Sequence, residues 1–181
     1  YAGVSCEMDT IMEIARDHSL HVIEDAAQAI LSTYKGNYLG TLGDAGCFSF
    51  HETKNLISGE GGAILINNPE WESRAEIIWE KGTDRQRFFR NEVDKYTWQD
   101  IGSSFYPSEL VAAFLAEQMD SARLINSDRM NTWEQYHKGL LDLEKREKLR
   151  RPIVPEHCSI NGHMYYILVE DEETRNNLIT Y

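Results

Sequence analysis

The stretch FSFHETKNLISGEGG, residues 48 to 62, sets a single lysine, Lys54, between a short apolar run and a glycine-rich turn. The chain has only 18 basic residues against 30 acidic ones, so a primary amine at the end of an apparently buried strand calls for a reason. The flanking residues set the frame. GDAGCFSF (43–50) and GGAILINN (61–68) both read as buried strands entered through glycine, with the lysine turn between them. Upstream, residues 7 to 18 carry Met8, Ile11, Met12, Ile14 and Ala15 at helical spacing, and HSL then breaks into HVIED, a short strand ending in acids. Downstream, PEWESRAEIIWEKG opens on Pro69, presents Trp71, Ala75, Ile78 and Trp79 as an apolar face, and closes at Gly82. Helices and strands alternating at this length predict an α/β sheet covered on both sides.

Beyond this block, residues 83 to 107 mix charges and aromatics without periodicity and read as a long excursion rather than a core element. A helical pattern then runs from Ser108 and Glu109 through Leu110, Ala113, Phe114, Gln118 and Met119 and onward to KGL, long enough to bridge two lobes. EKREKLRRPIVPE is a charged, proline-marked junction, and HMYYILVE reads as a strand opening a second, smaller domain. The expected organisation is therefore 1–107, 108–148 and 149–181. The chain begins YAGVSCEMD, without an initiator methionine, and stops at NNLITY inside a helical pattern, so it reads as an internal piece of a longer protein.

Bulk properties narrow the class. With 41% hydrophobic and 27% charged residues, the 181-residue chain has the composition of a globular protein with a sizeable core. A net charge of −12 repels polyanions, which argues against nucleic acid as a partner but leaves room for a small phosphate ligand in a locally basic pocket. No apolar run approaches the roughly 20 residues a membrane-spanning helix needs. Cys6, Cys47 and Cys158 are odd in number and lack CxxC spacing, which fits reduced thiols in the cytoplasm. HETKN lacks the second histidine of HExxH, because position 55 is Asn, so no metal site is expected. Cys47 has no histidine or acid placed to activate it and reads as structural.

Four side chains stand out: Asp25 and Gln28 after the HVIED strand, and Ser49 and Lys54 around the FSF strand. Ligands of open α/β sheets bind at the carboxyl ends of strands, so two such ends can face one cavity. Taken singly, each has a plainer reading. An Asp after a strand is ordinarily a helix cap, Gln28 a surface residue, Ser49 a satisfied hydroxyl and Lys54 a solvated loop lysine. Together they offer a carboxylate, an amide, a hydroxyl and a primary amine. An aldehyde cofactor with a pyridine nitrogen, a phenolic oxygen and a phosphate would use all four.

VIEDAAQ (22–28), YKGNYLGTLGDAGCFSF (34–50) and KNLISGEGG (54–62) resemble the sugar aminotransferases that act on nucleotide-linked keto sugars with pyridoxal 5'-phosphate. KGTDRQRFFRNEVDKYTWQDIGSS and SELVAAFLAEQ are similar to the branch that makes the 4-amino-4,6-dideoxygalactose nucleotide for enterobacterial common antigen. The resemblance covers most of the chain. It implies an aspartate-aminotransferase-like fold (fold type I): part of the large domain, then the start of a small C-terminal α+β domain. It also implies a cytoplasmic homodimer that moves an amino group, from glutamate, to the C4 ketone of dTDP-4-keto-6-deoxy-D-glucose.

By the same resemblance Lys54 matches the lysine that condenses with the cofactor aldehyde, Asp25 the acid at the pyridine nitrogen, Gln28 the group beside the ring and Ser49 a phosphate contact. The chemistry is consistent. A carboxylate keeps the ring nitrogen protonated, and only a primary amine can both condense with an aldehyde and shuttle a proton afterwards. One departure concerns GxNxR, a pattern whose Asn reaches the cofactor phosphate of the neighbouring subunit in many relatives. Here the segment reads GSSFY, so that contact falls to the Ser104 hydroxyl. Arg85, Arg87, Arg90 and Lys95 would meet a nucleotide diphosphate if their loop folds over a pocket. The upstream phosphate loop and the aromatic that stacks on the ring are expected from residues before Tyr1. Two rival readings stand beside this one. A related sugar dehydratase would carry histidine in place of Lys54, and a non-catalytic nucleotide- or partner-binding α/β module would bind no aldehyde cofactor.

Overall fold

Asp44 shows why the first sheet forms where it does. Its carboxylate accepts the Val22 N–H at 2.8 Å and the Asn68 amide at 3.0 Å, while its main-chain N–H donates to Val22 and its carbonyl accepts from Asn67 and Asn68. One acid thus joins the ends of three strands: β1 (Ile23–Asp25), β4 (Ala45–Ser49) and β5 (Gly62–Ile66). The computed structural model, which describes residues 1–181, orders them β1-β4-β5. β1 and β4 are parallel, with Asp25 opposite Cys47, and β4 and β5 are antiparallel, with Ser49 opposite Gly62. The second acid of HVIED also works locally: Glu24 accepts the N–H groups of Gly40, Leu42 and Gly43 at 2.6–2.8 Å and shapes the loop into β4.

A hairpin that hydrophobic patterning passes over lies between these strands. β2 (Thr33–Tyr34) and β3 (Asn37–Tyr38) are joined by Lys35 and Gly36, both at positive φ (48° and 83°), as a two-residue primed turn requires. β6 (Cys158–Ser159) pairs with β2 and completes a second small sheet. α1 (Met8–Asp17) and this hairpin bury Met8, Ala26, Ala29, Tyr34 and Leu39 as one core. A second core gathers Phe50, Leu56 and Ala122.

The helix expected from Pro69 is α2 (Glu72–Trp79), reached through a short turn capped by Asn68, whose Oδ1 accepts the Glu70 N–H. The pattern beginning at Ser108 opens as expected, with its hydroxyl accepting the Val111 N–H, but it does not run through as one helix. It divides into α4 (Glu109–Asp120), α5 (Ala122–Gly139) and α6 (Leu141–Lys145). At Ser121 the backbone leaves helical geometry (φ −90°, ψ 2°), and the next residue, Ala122, is drawn into the core beside Phe50 and Leu56.

Two further expectations are corrected. Residues 83–107 are not wholly without order: α3 (Arg85–Phe89) sits there, and buried Asp84 accepts from the Thr97 N–H and the Gln99 amide, pinning the loop to its own start. HMYYILVE is not a strand. Only Leu168 pairs, exchanging two main-chain hydrogen bonds with Arg150, because the segment's side chains dock one by one. His163 bonds Asn55, and the Tyr165 ring lies against Trp133. α7 (Glu172–Thr180) follows, capped by Asp171. No helix is long and apolar enough to cross a membrane.

Candidate active site

The carboxyl end of β1 opens into a cleft of about 530 Å³ whose lining includes Asp25, Gln28 and Lys54 together with Tyr1, residues 3–6 and α1 side chains. Each arrives from a different piece of local structure. Asp25 ends β1, and its Oδ1 accepts the Ala27 N–H at 3.1 Å, so the same carboxylate that faces the cleft also turns the chain out of the strand. Gln28 follows that turn. Its Oε1 accepts the Ala2 N–H at 2.7 Å, which leaves its amide N–H groups without a partner in the protein. Lys54, a half-buried residue, sits in the turn after β4, its main-chain N–H donating to the His51 carbonyl, and its amine makes no ion pair.

Ser49 and Ser104 lie elsewhere. Ser49 is on β4, two residues beyond Cys47, the register partner of Asp25. Strand alternation therefore puts the Ser49 side chain on the sheet face shared by Asp25 and Cys47, although it does not line the cleft. Its Oγ accepts the His51 N–H at 3.3 Å at the entry to the lysine turn. Ser104 is exposed, pairs with Glu80 across the ordered loop, and also lies outside the cleft lining. Of the four basic residues in that loop, Arg87 and Arg90 are engaged by Glu92, Arg90 also by Glu76, and Arg85 by Glu80.

Behind the cleft runs a buried polar chain that residue patterning did not single out. The Asn55 amide donates to the Asn161 carbonyl at 2.8 Å, and its Oδ1 lies 2.7 Å from His163 Nδ1. Asn161, fully buried, donates to the carbonyls of Gln28 (3.0 Å) and Ile30 (2.9 Å) and accepts the His163 N–H (3.1 Å). Burial, followed by the nearby charges of Lys54 and Arg129, holds the His163 imidazole below its ordinary pKa. The only local signal was Asn55 beside the lysine; nothing near Asn161 announces a partner more than a hundred positions away.

A carboxylate, an amide and a primary amine around one cleft match the donor set that a pyridoxal cofactor needs, a hydrogen-bond acceptor for a ring nitrogen and an amine for its aldehyde. The model of the DegT/DnrJ/EryC1/StrS aminotransferase family matches residues 1–181. GDP-perosamine synthase of Caulobacter vibrioides is 30% identical over 168 residues, 91% of this chain and 41% of that protein. Helicobacter pylori PseC, described as an aminotransferase of pseudoaminic acid biosynthesis, superposes with a TM-score of 0.84 at 25% identity, over 99% of this chain and 46% of its own. A protein of Streptococcus pneumoniae described as a "putative sugar aminotransferase", in a structure described as its "PLP-form", gives a TM-score of 0.83 at 22% identity, over 99% of this chain and 49% of its own. The chain spans less than half the length of the curated relatives it matches. Its α/β architecture is that of the aspartate-aminotransferase type (fold type I), in part. This chain, with Lys54, Asp25 and Gln28 around one cleft, belongs to the DegT/DnrJ/EryC1/StrS aminotransferase family.

Proposed function

We propose that the polypeptide carrying this chain is a cytoplasmic, homodimeric aminotransferase that uses pyridoxal 5'-phosphate to move an amino group from glutamate to a nucleotide-linked keto sugar. In its sharpest form the acceptor is the C4 ketone of dTDP-4-keto-6-deoxy-D-glucose and the product is dTDP-4-amino-4,6-dideoxygalactose. The observation that carries the reading is the meeting of Asp25, Gln28 and Lys54 in one cleft. Family membership and the lysine, rather than histidine, at position 54 support transamination over dehydration.

When bound, the cofactor supplies an electron-accepting ring. The protein's part is to hold and to move protons. Asp25 Oδ2, which has no protein partner, is free to keep a ring nitrogen protonated, and the free amide N–H groups of Gln28 can donate to an oxygen on the ring. Lys54 would supply the primary amine that holds the aldehyde, and the same amine could hold or give up a proton beside the reacting carbon of the substrate. Ser49 is assigned to the phosphate, and Ser104 to the phosphate in the partner subunit's cleft.

The test is borohydride reduction of the polypeptide with pyridoxal phosphate, followed by peptide mass mapping. A phosphopyridoxyl group on the Lys54 peptide is expected, and a label on another lysine instead would sink the assignment. Mass analysis after incubation with glutamate and either dTDP- or GDP-linked 4-keto-6-deoxy sugar then reads the sugar directly.

A further inference from the structure

Asn55, Asn161 and His163 are buried or half-buried, hydrogen-bonded to one another, and joined at both ends to the cleft: Asn55 is the neighbour of Lys54, and Asn161 holds the Gln28 carbonyl. Resting on the assignment of Lys54 above, we propose that these three are positioning residues, a latch through which the segment 161–163 sets the placement of the Lys54 amine relative to Gln28. The geometry leaves little slack. Asn55 must turn its amide nitrogen toward the Asn161 carbonyl, because a carbonyl only accepts. Its Oδ1 therefore faces His163, whose Nδ1 carries the proton.

Asn161 in turn spends both amide hydrogens on the carbonyls of Gln28 and Ile30, and its oxygen accepts the His163 N–H, so no donor of that side chain is left over. Room for it exists because residue 3 is glycine. A Cβ there would stand 2.4 Å from Asn161 Oδ1, and Gly3 itself lines the cleft. A fully satisfied buried network holds one arrangement, and a partly satisfied one does not. Lys54 stands in a short turn with one main-chain hydrogen bond of its own, so its placement depends on the next residue being held.

The experiment uses the polypeptide that carries this chain, freed of cofactor. Pyridoxal phosphate is added, borohydride stops the reaction at intervals, and mass mapping follows the label on Lys54 and on exposed lysines such as Lys138. His163→Leu is expected to slow labelling of Lys54 by about tenfold or more, as a misplaced reacting group does, while Lys138 is labelled at the rate of the unsubstituted protein. His163→Gln, whose amide can donate to Asn55 Oδ1, is expected to recover most of the rate; a role in bulk stability alone would not be rescued in this selective way. Should His163→Leu fail to fold, Asn55→Asp takes its place. It keeps the acceptor for His163 but loses the donation to Asn161, and the same selective slowing is expected. Labelling of Lys54 at the unsubstituted rate in these variants overturns the latch alone. Label on a different lysine in the unsubstituted protein overturns the assignment of Lys54, and the latch with it.

Discussion

At the scale of single residues, the chain's acids do much of the local work. Asp44 and Glu24 bind main-chain amides at strand ends, and Asp25 turns the chain while facing the cleft. Glu80 differs from these in being almost completely buried (1% exposed) beside two cations. Burial alone raises its carboxyl pKa, but the Tyr106 hydroxyl and the cations of Arg85 and Lys81 outweigh it, and the net direction is down. Arg85 Nη1 lies 3.1 Å from Glu80 Oε1 and Lys81 Nζ lies 3.5 Å from the same oxygen. Arg85→Ala is expected to destabilise the protein by about 1–2 kcal/mol, less than the full cost of orphaning a buried charge because Arg85 is partly exposed and Lys81 remains. A carboxyl lowered in the folded state stabilises above its unfolded value of about 4.3 and loses that contribution as pH falls through the lower folded value. The gap between the two proteins in urea titrations should therefore be widest near neutral pH and close in acid. A gap unchanged at pH 3 would contradict the charge pairing.

At the scale of elements, one substitution is expected to have opposite signs in two places. Gly46 lies in the middle of β4, where an added Cβ would stand 2.2 Å from the Gly40 carbonyl oxygen and 2.4 Å from its Cα. Backbone, not a flexible side chain, would have to move, so Gly46→Ala is expected to cost about 3 kcal/mol. Gly139, the last residue of α5, meets nothing within 4 Å, and Gly139→Ala is expected to gain about 0.5–1 kcal/mol from helix propensity. Thermal melts of the two variants check both signs. Composition alone treats these glycines alike. The strand ends and the Ser108 helix start were legible because caps, turns and apolar runs act within a few residues. The break at Ser121 was not, because the packing of Ala122 against Phe50 and Leu56 depends on residues some seventy positions earlier.

At the scale of the whole molecule, large apolar side chains are left in the open on this chain: Trp98, Ile101 and Leu110 are 76%, 89% and 85% exposed. The proposed homodimer predicts that light scattering at micromolar concentration returns twice the mass of the polypeptide, and a strict monomer that still transfers amino groups would refute it. By itself the sequence determined the two strands on either side of Lys54, the candidate residues Asp25, Gln28, Ser49 and Lys54, and the likeness to a cofactor-dependent family. These rest on periodicity, turn chemistry and residue type, which are local. Only the tertiary structure decided that Asp25, Gln28 and Lys54 line one cleft while Ser49 and Ser104 stand outside it, that HMYYILVE docks by side chains instead of joining a sheet, and that Asn161 and His163 reach the neighbour of Lys54. The physical reason is distance along the chain. A hydrogen bond between Asn55 and His163 spans 108 positions, and no local pattern encodes a partner that only folding brings near.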